Sequence, residues 1–136
     1  MTEIDFLLHS TPPLAPSSGI ARAVRRAIEH YLQHPHCDFD LPLAVAGTPF
    51  QRRVWDELRR IPAGQAITYA ELACRVGSGA RAVANACGAN PIPVIIPCHR
   101  VVAANGLGGF MRGHMDSSLD IKRWLLTHER SAPGAA

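Results

Sequence analysis

The 136-residue sequence contains no apolar run approaching the length of a membrane span. Its opening stretch, MTEIDFLLHS, lacks the basic segment and the long apolar stretch of a secretory signal. The expectation from both absences is a cytoplasmic chain without a membrane partner. The four cysteines, Cys37, Cys74, Cys87 and Cys98, form no Cys-x-x-Cys pair, which removes zinc-ribbon and thioredoxin-type chemistry. In a cytoplasmic chain they are expected as reduced thiols. The stretch His34-Pro35-His36-Cys37, one turn after His30, suggests a metal cluster at first sight. Pro35 splits it and no second ligand pair has suitable spacing, so it reads as a solvated helix end and no metal site is expected.

The chain has room for one domain, or one and a small appendage, and its 47% apolar content can build a core. The net charge of +3 is unevenly spread. Residues 1–45 carry three arginines against five carboxylates, whereas residues 46–136 carry eleven basic against six acidic side chains. The second part would attract a polyanion, a signal that many soluble domains share.

Patterning divides the chain into short elements. Residues 2–10 read as a strand, and Thr11 to Gly19, rich in Pro and Ser, as a loop. A helix is expected from Ser18 to Gln33, with Ile20, Val24, Ile28 and Tyr31/Leu32 on one stripe. Phe39 to Val45 is an extended lead-in. Thr48-Pro49-Phe50-Gln51 is a capping box with Pro in the first turn, and Phe50, Val54, Trp55 and Leu58 form the buried stripe behind it. Ile61 to Gly64 ends that helix. A second box, Thr68 to Glu71, opens a short helix reaching Val76; Gly77 to Gly79 turn the chain, and a third helix runs from Ala80 to about Cys87. Cys74 and Cys87 read as small buried apolar residues there. Two short helices joined by a Gly turn form the helix-turn-helix pattern. Asn90-Pro91-Ile92-Pro93 cannot be helical. A short buried strand is expected at Val94–Ile96, a glycine-rich loop from Asn105 to Gly113, and a last helix from Ser118 to about His128 carrying Leu119, Ile121, Trp124, Leu125 and Leu126. The tail SAPGAA is expected to be disordered.

Two features carry chemistry. Cys98 lies between Pro97 and His99 at the end of the expected strand. A thiolate is the nucleophile, so a base must populate it near neutral pH, and His99 is the adjacent candidate. Neighbours on an extended chain point oppositely, so His99 is expected to act through one water, with Glu129 as the group that orients it. A lone Cys-His neighbour pair is more often structural. The second feature is Ala80 to Gly88, which has almost no long polar side chain and so cannot read several base edges. Small residues instead permit close approach to DNA with little sequence preference. Arg81 is its one long donor and could fill the gap left when a base leaves the stack. The plain alternative is a surface Arg on an alanine-rich core helix.

The stretches GTPFQRRVW, IPAGQAITYAELA, ARAVANACGANPIPVIIPCHRVV and IKRWLLTHE closely resemble the O6-alkylguanine-DNA alkyltransferases, also called methylated-DNA–protein-cysteine methyltransferases. The similarity covers about Leu41 to Glu129, and PCHRV after an Asn-Pro turn is its most specific part. The resemblance implies that Cys98 is the acceptor thiol, His99 the water-linked base and Glu129 its partner. It implies that Asn90 braces the turn before the active site and that Tyr69 donates to the departing guanine. Arg81 becomes the finger replacing the flipped base. Ala80, Ala82, Ala84, Asn85 and Gly88, with Tyr69, face DNA in the minor groove. Pro93 and Val101 become pocket residues, with Phe110 or Met111 where the family commonly has a tyrosine. The loop from Phe110 to Ser117 is longer than the family's compact turn and bears on substrate range.

The implied fold is α/β (α+β): a reduced amino-terminal α/β piece over residues 1–45, a mainly helical, winged-helix-like alkyltransferase domain with the helix-turn-helix over 46–130, and a tail at 131–136. The matched active-site residues all come after residue 45, so the short amino-terminal part bears on folding and stability more than on chemistry. The implied function is single-turnover transfer of the alkyl group of O6-alkylguanine to Cys98, by a monomer acting on double-stranded DNA without metal or organic cofactor. The alternatives are a non-catalytic lesion-binding relative, which would lack the acceptor cysteine, and a helix-turn-helix regulator, against which the small-residue helix speaks. A Cys-His hydrolase finds no oxyanion hole or acyl pocket in the sequence.

Overall fold

Capping side chains set where the first three helices begin. The computed structural model describes residue 16, residues 18–108 and residues 116–131. Ser18 accepts from the Ala21 N–H and opens α1 (Gly19–Gln33). Thr48 and Gln51 exchange both bonds of a capping box at the start of α2 (Pro49–Leu58). Thr68 accepts from the Glu71 N–H and opens α3 (Tyr69–Val76). Only this half of the second expected box is used, because the Glu71 carboxylate turns to Arg75 at 3.2 Å. Gly77 takes a left-handed conformation (φ 70°) that ends α3, and α4 (Ala80–Gly88) comes next. The last helix, α5 (Asp116–Ser131), is longer at both ends than the sequence suggests. The strand expected at 2–10, most of the Phe110–Ser117 loop and residues 132–136 lie outside the described residues.

Helices α2, α3 and α4 pack on one another. Val54, Trp55 and Leu58 of α2 meet Leu72 and Ala73 of α3 and Val83, Ala86 and Cys87 of α4 in one buried cluster. Trp55 also donates its indole N–H to the Ala86 carbonyl at 2.8 Å, which fixes α4 against α2. The expected lead-in, Phe39 to Val45, lies outside any helix or strand. Its apolar residues Phe39, Leu41, Leu43 and Val45 alternate with exposed neighbours and lie against the core.

Among the described residues, sheet structure is minimal. Strand β1 (Ile67–Thr68) pairs in parallel with β2 (Val101–Val102), Ile67 opposite Val101. The strand expected at Val94–Ile96 is absent. Pro91, Pro93 and Pro97 remove backbone donors around it, so no ladder can run through. The segment is a turn instead, with a single bridge between Pro93 and Ile96 and Val94 at φ 75°. A β-branched residue in that left-handed region is a marked outlier. Cys87 is buried as expected, but Cys74 is exposed on the outer side of α3. The alanine-rich pattern of α3 does not say which small residue faces inward.

The Trp55 bond generates the first test. In Trp55→Phe the Ala86 carbonyl is left buried without its donor, and stability to urea should fall by about 2 kcal/mol. An unchanged urea midpoint would mean that the bond to α4 contributes nothing.

Candidate active site

The site begins in the turn after α4. Asn90 bridges it with both ends of its side chain: Oδ1 accepts the Ile92 N–H at 2.9 Å and Nδ2 donates to the Ile96 carbonyl at 2.7 Å. The Ile96 N–H closes back on the Ile92 carbonyl at 2.9 Å. Pro97 (φ −82°, ψ 66°) has the dihedrals of an inverse γ-turn, and the Cys98 N–H bonds to the Ile96 carbonyl at 2.8 Å. Asn90 therefore supplies the pairing that the prolines deny to the backbone. Cys98 to Arg100 form one 3₁₀ turn. His99 thus does not continue from Cys98 along an extended chain, and the expected reason for a water-linked contact does not hold.

All three residues of that turn are buried, Cys98 at 4% exposure and His99 at 0%. Burial pushes the Cys98 thiol up, against the opposing influence of Asn90, of Lys122 and of the turn's own backbone. At rest the sulfur is therefore a protonated thiol. Burial likewise holds His99 below its ordinary value, despite the attraction of Glu129, so the imidazole is neutral. His99 Nε2 lies 2.7 Å from Glu129 Oε2. An ionised carboxylate can only accept, so Nε2 carries the proton. The other nitrogen, Nδ1, is then a lone-pair acceptor; it is buried and has no hydrogen-bond partner among the described residues. A neutral imidazole with an open acceptor, on the residue next to a buried thiol, is equipped to take a proton.

Glu129 is itself fully buried. Arg100 grips it with Nε to Oε1 at 2.9 Å and Nη2 to Oε2 at 3.0 Å, and donates Nη1 to the Ile61 carbonyl at 2.6 Å. Burial alone would raise the carboxyl, but hydrogen bonds from His99 and Arg100 outweigh it and hold the group well below the usual carboxylate range. The Tyr31 hydroxyl is a further donor to the same carboxylate.

Lys122 completes the interior. It is the one lysine in the chain and is fully buried on α5. Nζ donates to the Val101 carbonyl at 2.7 Å and lies 5.9 Å from the centre of the Tyr69 ring. Burial pushes its ammonium down to about 8, while Cys98 and Cys87 pull it upward. Sequence reading missed Lys122, Arg100 and Tyr31. The signal for Lys122 was its place on the stripe Lys122, Leu125, Leu126, Glu129, where a charged residue faces inward with the apolar ones.

The remaining expected residues fall in three groups. Pro93 and Val101 are buried around the turn, and Tyr69 opens α3 half-buried. Gly108 (φ 71°) passes so close to Tyr69 that a Cβ would lie 2.9 Å from its ring. On α4, Ala80, Arg81, Ala82 and Asn85 are exposed and Ala84 and Gly88 partly so, which leaves an outward face of small residues with one arginine. Phe110 and Met111 lie outside the described residues. Among the described residues no three His, Cys, Asp or Glu converge to hold a metal; His36 instead bonds the Glu129 main-chain carbonyl at 2.9 Å.

One known family shares this sequence pattern and fold. Residues 49–131 match the family model described as the 6-O-methylguanine DNA methyltransferase DNA-binding domain. The chain belongs to that family. It is 50% identical over 92 residues to the methylated-DNA–protein-cysteine methyltransferase of Salmonella typhimurium, covering 65% of this chain and 51% of the relative. It is 42% identical over 129 residues to the corresponding protein of Metallosphaera sedula, covering 94% and 79%. Among solved structures, the Mycobacterium tuberculosis OGT in complex with DNA superposes with a TM-score of 0.80 at 36% identity, over 97% of this chain and 82% of that one. The chain spans about half the length of several curated relatives that it matches. The mixed fold expected from the sequence, helical with a small sheet, is the fold of this family.

Two substitutions test the buried charges. Glu129→Gln strands the Arg100 guanidinium and should cost about 3–5 kcal/mol at neutral pH. Because the folded carboxyl is depressed, that stabilisation is present above the unfolded value and is lost as pH falls through the folded one. Lys122 has the other sign pattern. It loses its proton near pH 8 when folded but near its ordinary value of 10.5 when unfolded. Between these the unfolded chain holds the extra proton on this group, so its own contribution to stability rises with pH, against the buried Cys87 and Cys98 thiols, whose raised values act in the opposite direction. Wild type should therefore gain stability relative to Lys122→Met across the window, as read by urea titrations of both chains at its two ends.

Proposed function

We propose that the chain is a DNA repair protein that transfers the alkyl group of O6-alkylguanine in double-stranded DNA to its own Cys98, once per molecule. The observation that carries this reading is the buried Cys98, His99 and Glu129 set, in which the Nδ1 acceptor of a neutral imidazole has no partner among the described residues. The membership of the family supports the same reading.

The protonation states dictate the chemistry. The thiol proton passes to His99 Nδ1, directly or through a water, and Glu129 stabilises the imidazolium through Nε2. The thiolate attacks the alkyl carbon on guanine O6. A carbon–sulfur bond forms, the carbon–oxygen bond breaks, and its electron pair stays with the guanine. The Tyr69 hydroxyl donates to the departing base, which would otherwise be a poor leaving group. Lys122 contributes a positive charge that favours thiolate. The product is a thioether without a good leaving group, so each chain acts once.

The duplex is met by the outer face of α4. Ala80, Ala82, Ala84, Asn85 and Gly88 let the helix approach closely, and Arg81 fills the space of the flipped base. Pro93 and Val101 wall the pocket. The chain acts as a monomer, in the cytoplasm. No described helix is long and apolar enough to cross a membrane. A non-catalytic lesion-binding role is disfavoured by Cys98 itself, with a base and a carboxylate arranged behind it.

The deciding experiment is intact-protein mass after mixing with a duplex containing O6-methylguanine. The expected result is one added methyl per chain, located on Cys98. Cys98→Ser should lose transfer while still binding the lesion duplex, since a hydroxyl is a far weaker nucleophile. Arg81→Ala should slow transfer from the duplex much more than from the free base, because only the duplex requires flipping. Equal slowing on both substrates would assign Arg81 to the pocket instead.

A further inference from the structure

Read from the sequence, residues 1–45 bear on folding and leave the chemistry to the rest of the chain. The structure brings one of them to the catalytic carboxylate. Tyr31, near the end of α1, is 1% exposed, and its hydroxyl donates to Glu129 Oε2 at 2.6 Å. His99 Nε2 donates to the same oxygen at 2.7 Å and Arg100 Nη2 at 3.0 Å. A carboxylate oxygen offers about two lone-pair directions. Three donors on one oxygen therefore divide its charge, and each receives less than it would alone.

Tyr31 is held firmly in this place. Its ring lies 5.6 Å from that of Phe39 and 5.5 Å from the edge-on ring of His128. Its main-chain carbonyl accepts from His128 Nε2 at 3.1 Å, and His36 Nε2 donates to the Glu129 carbonyl at 2.9 Å. The end of α1 and the segment after it are thus clamped to the last turns of α5. A buried tyrosine hydroxyl needs a partner, and a backbone carbonyl would serve. This hydroxyl instead meets the oxygen that His99 uses.

We propose that Tyr31 is a positioning residue for alkyl transfer: its hydroxyl fixes Glu129 Oε2 where His99 needs it and draws charge from that oxygen, keeping the imidazole neutral and free to take the Cys98 proton. This role rests on the proposed transfer of the alkyl group to Cys98. The groups facing His99 are Glu129, Arg100 and Lys122. Those facing Glu129 are His99, Arg100 and Tyr31, with His36 on its main chain. Those facing Tyr31 are Glu129, Arg100, Cys37 and His128. Removing the hydroxyl leaves both cations in place and gives His99 a larger share of the carboxylate charge. The imidazole then protonates at higher pH, and its protonated form cannot act as base.

The experiment compares single-turnover transfer from an O6-methylguanine duplex across acid to neutral pH, for the whole wild-type chain and for Tyr31→Phe, which keeps the buried ring. The acid limb of the rate profile should move upward, so that on this limb the variant is slower by about threefold. On the plateau, where His99 is neutral in both chains, the ratio of the two rates should be closer to one than on the acid limb. A merely structural role would lower the unfolding midpoint or reduce rates equally at every pH, and an unmoved acid limb in a folded variant overturns the proposal. A chain carrying 3-fluorotyrosine at position 31 provides the opposite perturbation. Its more acidic hydroxyl is a stronger donor, and the limb should move downward. That chain carries the test where Tyr31→Phe does not fold, and an unmoved limb there also overturns the proposal. Absence of transfer by the wild-type chain at every pH would overturn the transfer reaction itself, and this role with it, whereas transfer with an unmoved limb removes only the role of Tyr31.

Discussion

A fully buried carboxylate is the constraint around which the molecule is arranged. Glu129 sits at 0% exposure, where an uncompensated charge would be very costly. Its compensation comes from distant parts of the chain: Arg100 and His99 from the turn after α4, and Tyr31 from the end of α1. Arg100 in turn reaches the Ile61 carbonyl beyond α2. Satisfying one side chain therefore fixes the relative positions of α1, the α2 exit, the Cys98–Arg100 turn and α5. The same requirement holds the His99 tautomer, because a carboxylate that only accepts leaves the proton on Nε2 and the lone pair on Nδ1.

The second constraint is proline. Three prolines between 91 and 97 prevent the segment from joining a ladder, and Asn90 takes up the backbone groups that this frees. The result is a rigid turn with Val94 in a conformation that β-branched residues rarely adopt. A strand would have pointed Cys98 and His99 to opposite faces. The 3₁₀ turn instead lets both side chains enter the interior.

Local signals were legible in the sequence and long-range ones were not. Ser, Thr and Gly caps act over three or four residues, so the starts of α2 and α3 and the turn at Gly77 could be read directly. The alternation of Phe39, Leu41, Leu43 and Val45 likewise needs only its neighbours. The candidate cysteine and its histidine could be read from their adjacency, with Glu129 offered as the orienting group, but the pairing of His99 with a residue thirty positions later is a long-range contact that spacing alone does not reveal. Tyr31 and Lys122 sat on apolar stripes and were passed over there, because periodicity reports which face is inward but not what a polar tip meets. Arg100 was hidden for a related reason: its partners, Ile61 and Glu129, lie 39 and 29 residues away on either side. Val94–Ile96 was misread because a short apolar run does not distinguish a strand from a buried turn.

Under the proposed transfer, the burial of Cys98 has a consequence for the alkylated chain. Cys98, at 4% exposure, belongs to the buried cluster that also holds Cys87, Ile96 and Val101. Interiors of this density have few voids, and adding a methyl group to a filled core costs about 1–3 kcal/mol through forced repacking. A chain that has accepted an alkyl group would carry that overpacking permanently, in a fold whose total margin is commonly about 5–15 kcal/mol. The alkylated form would open more often than the fresh one and expose its core to proteases for a larger fraction of time. Used and unused copies would then differ in lifetime as well as in chemistry, and larger alkyl groups would shorten that lifetime further.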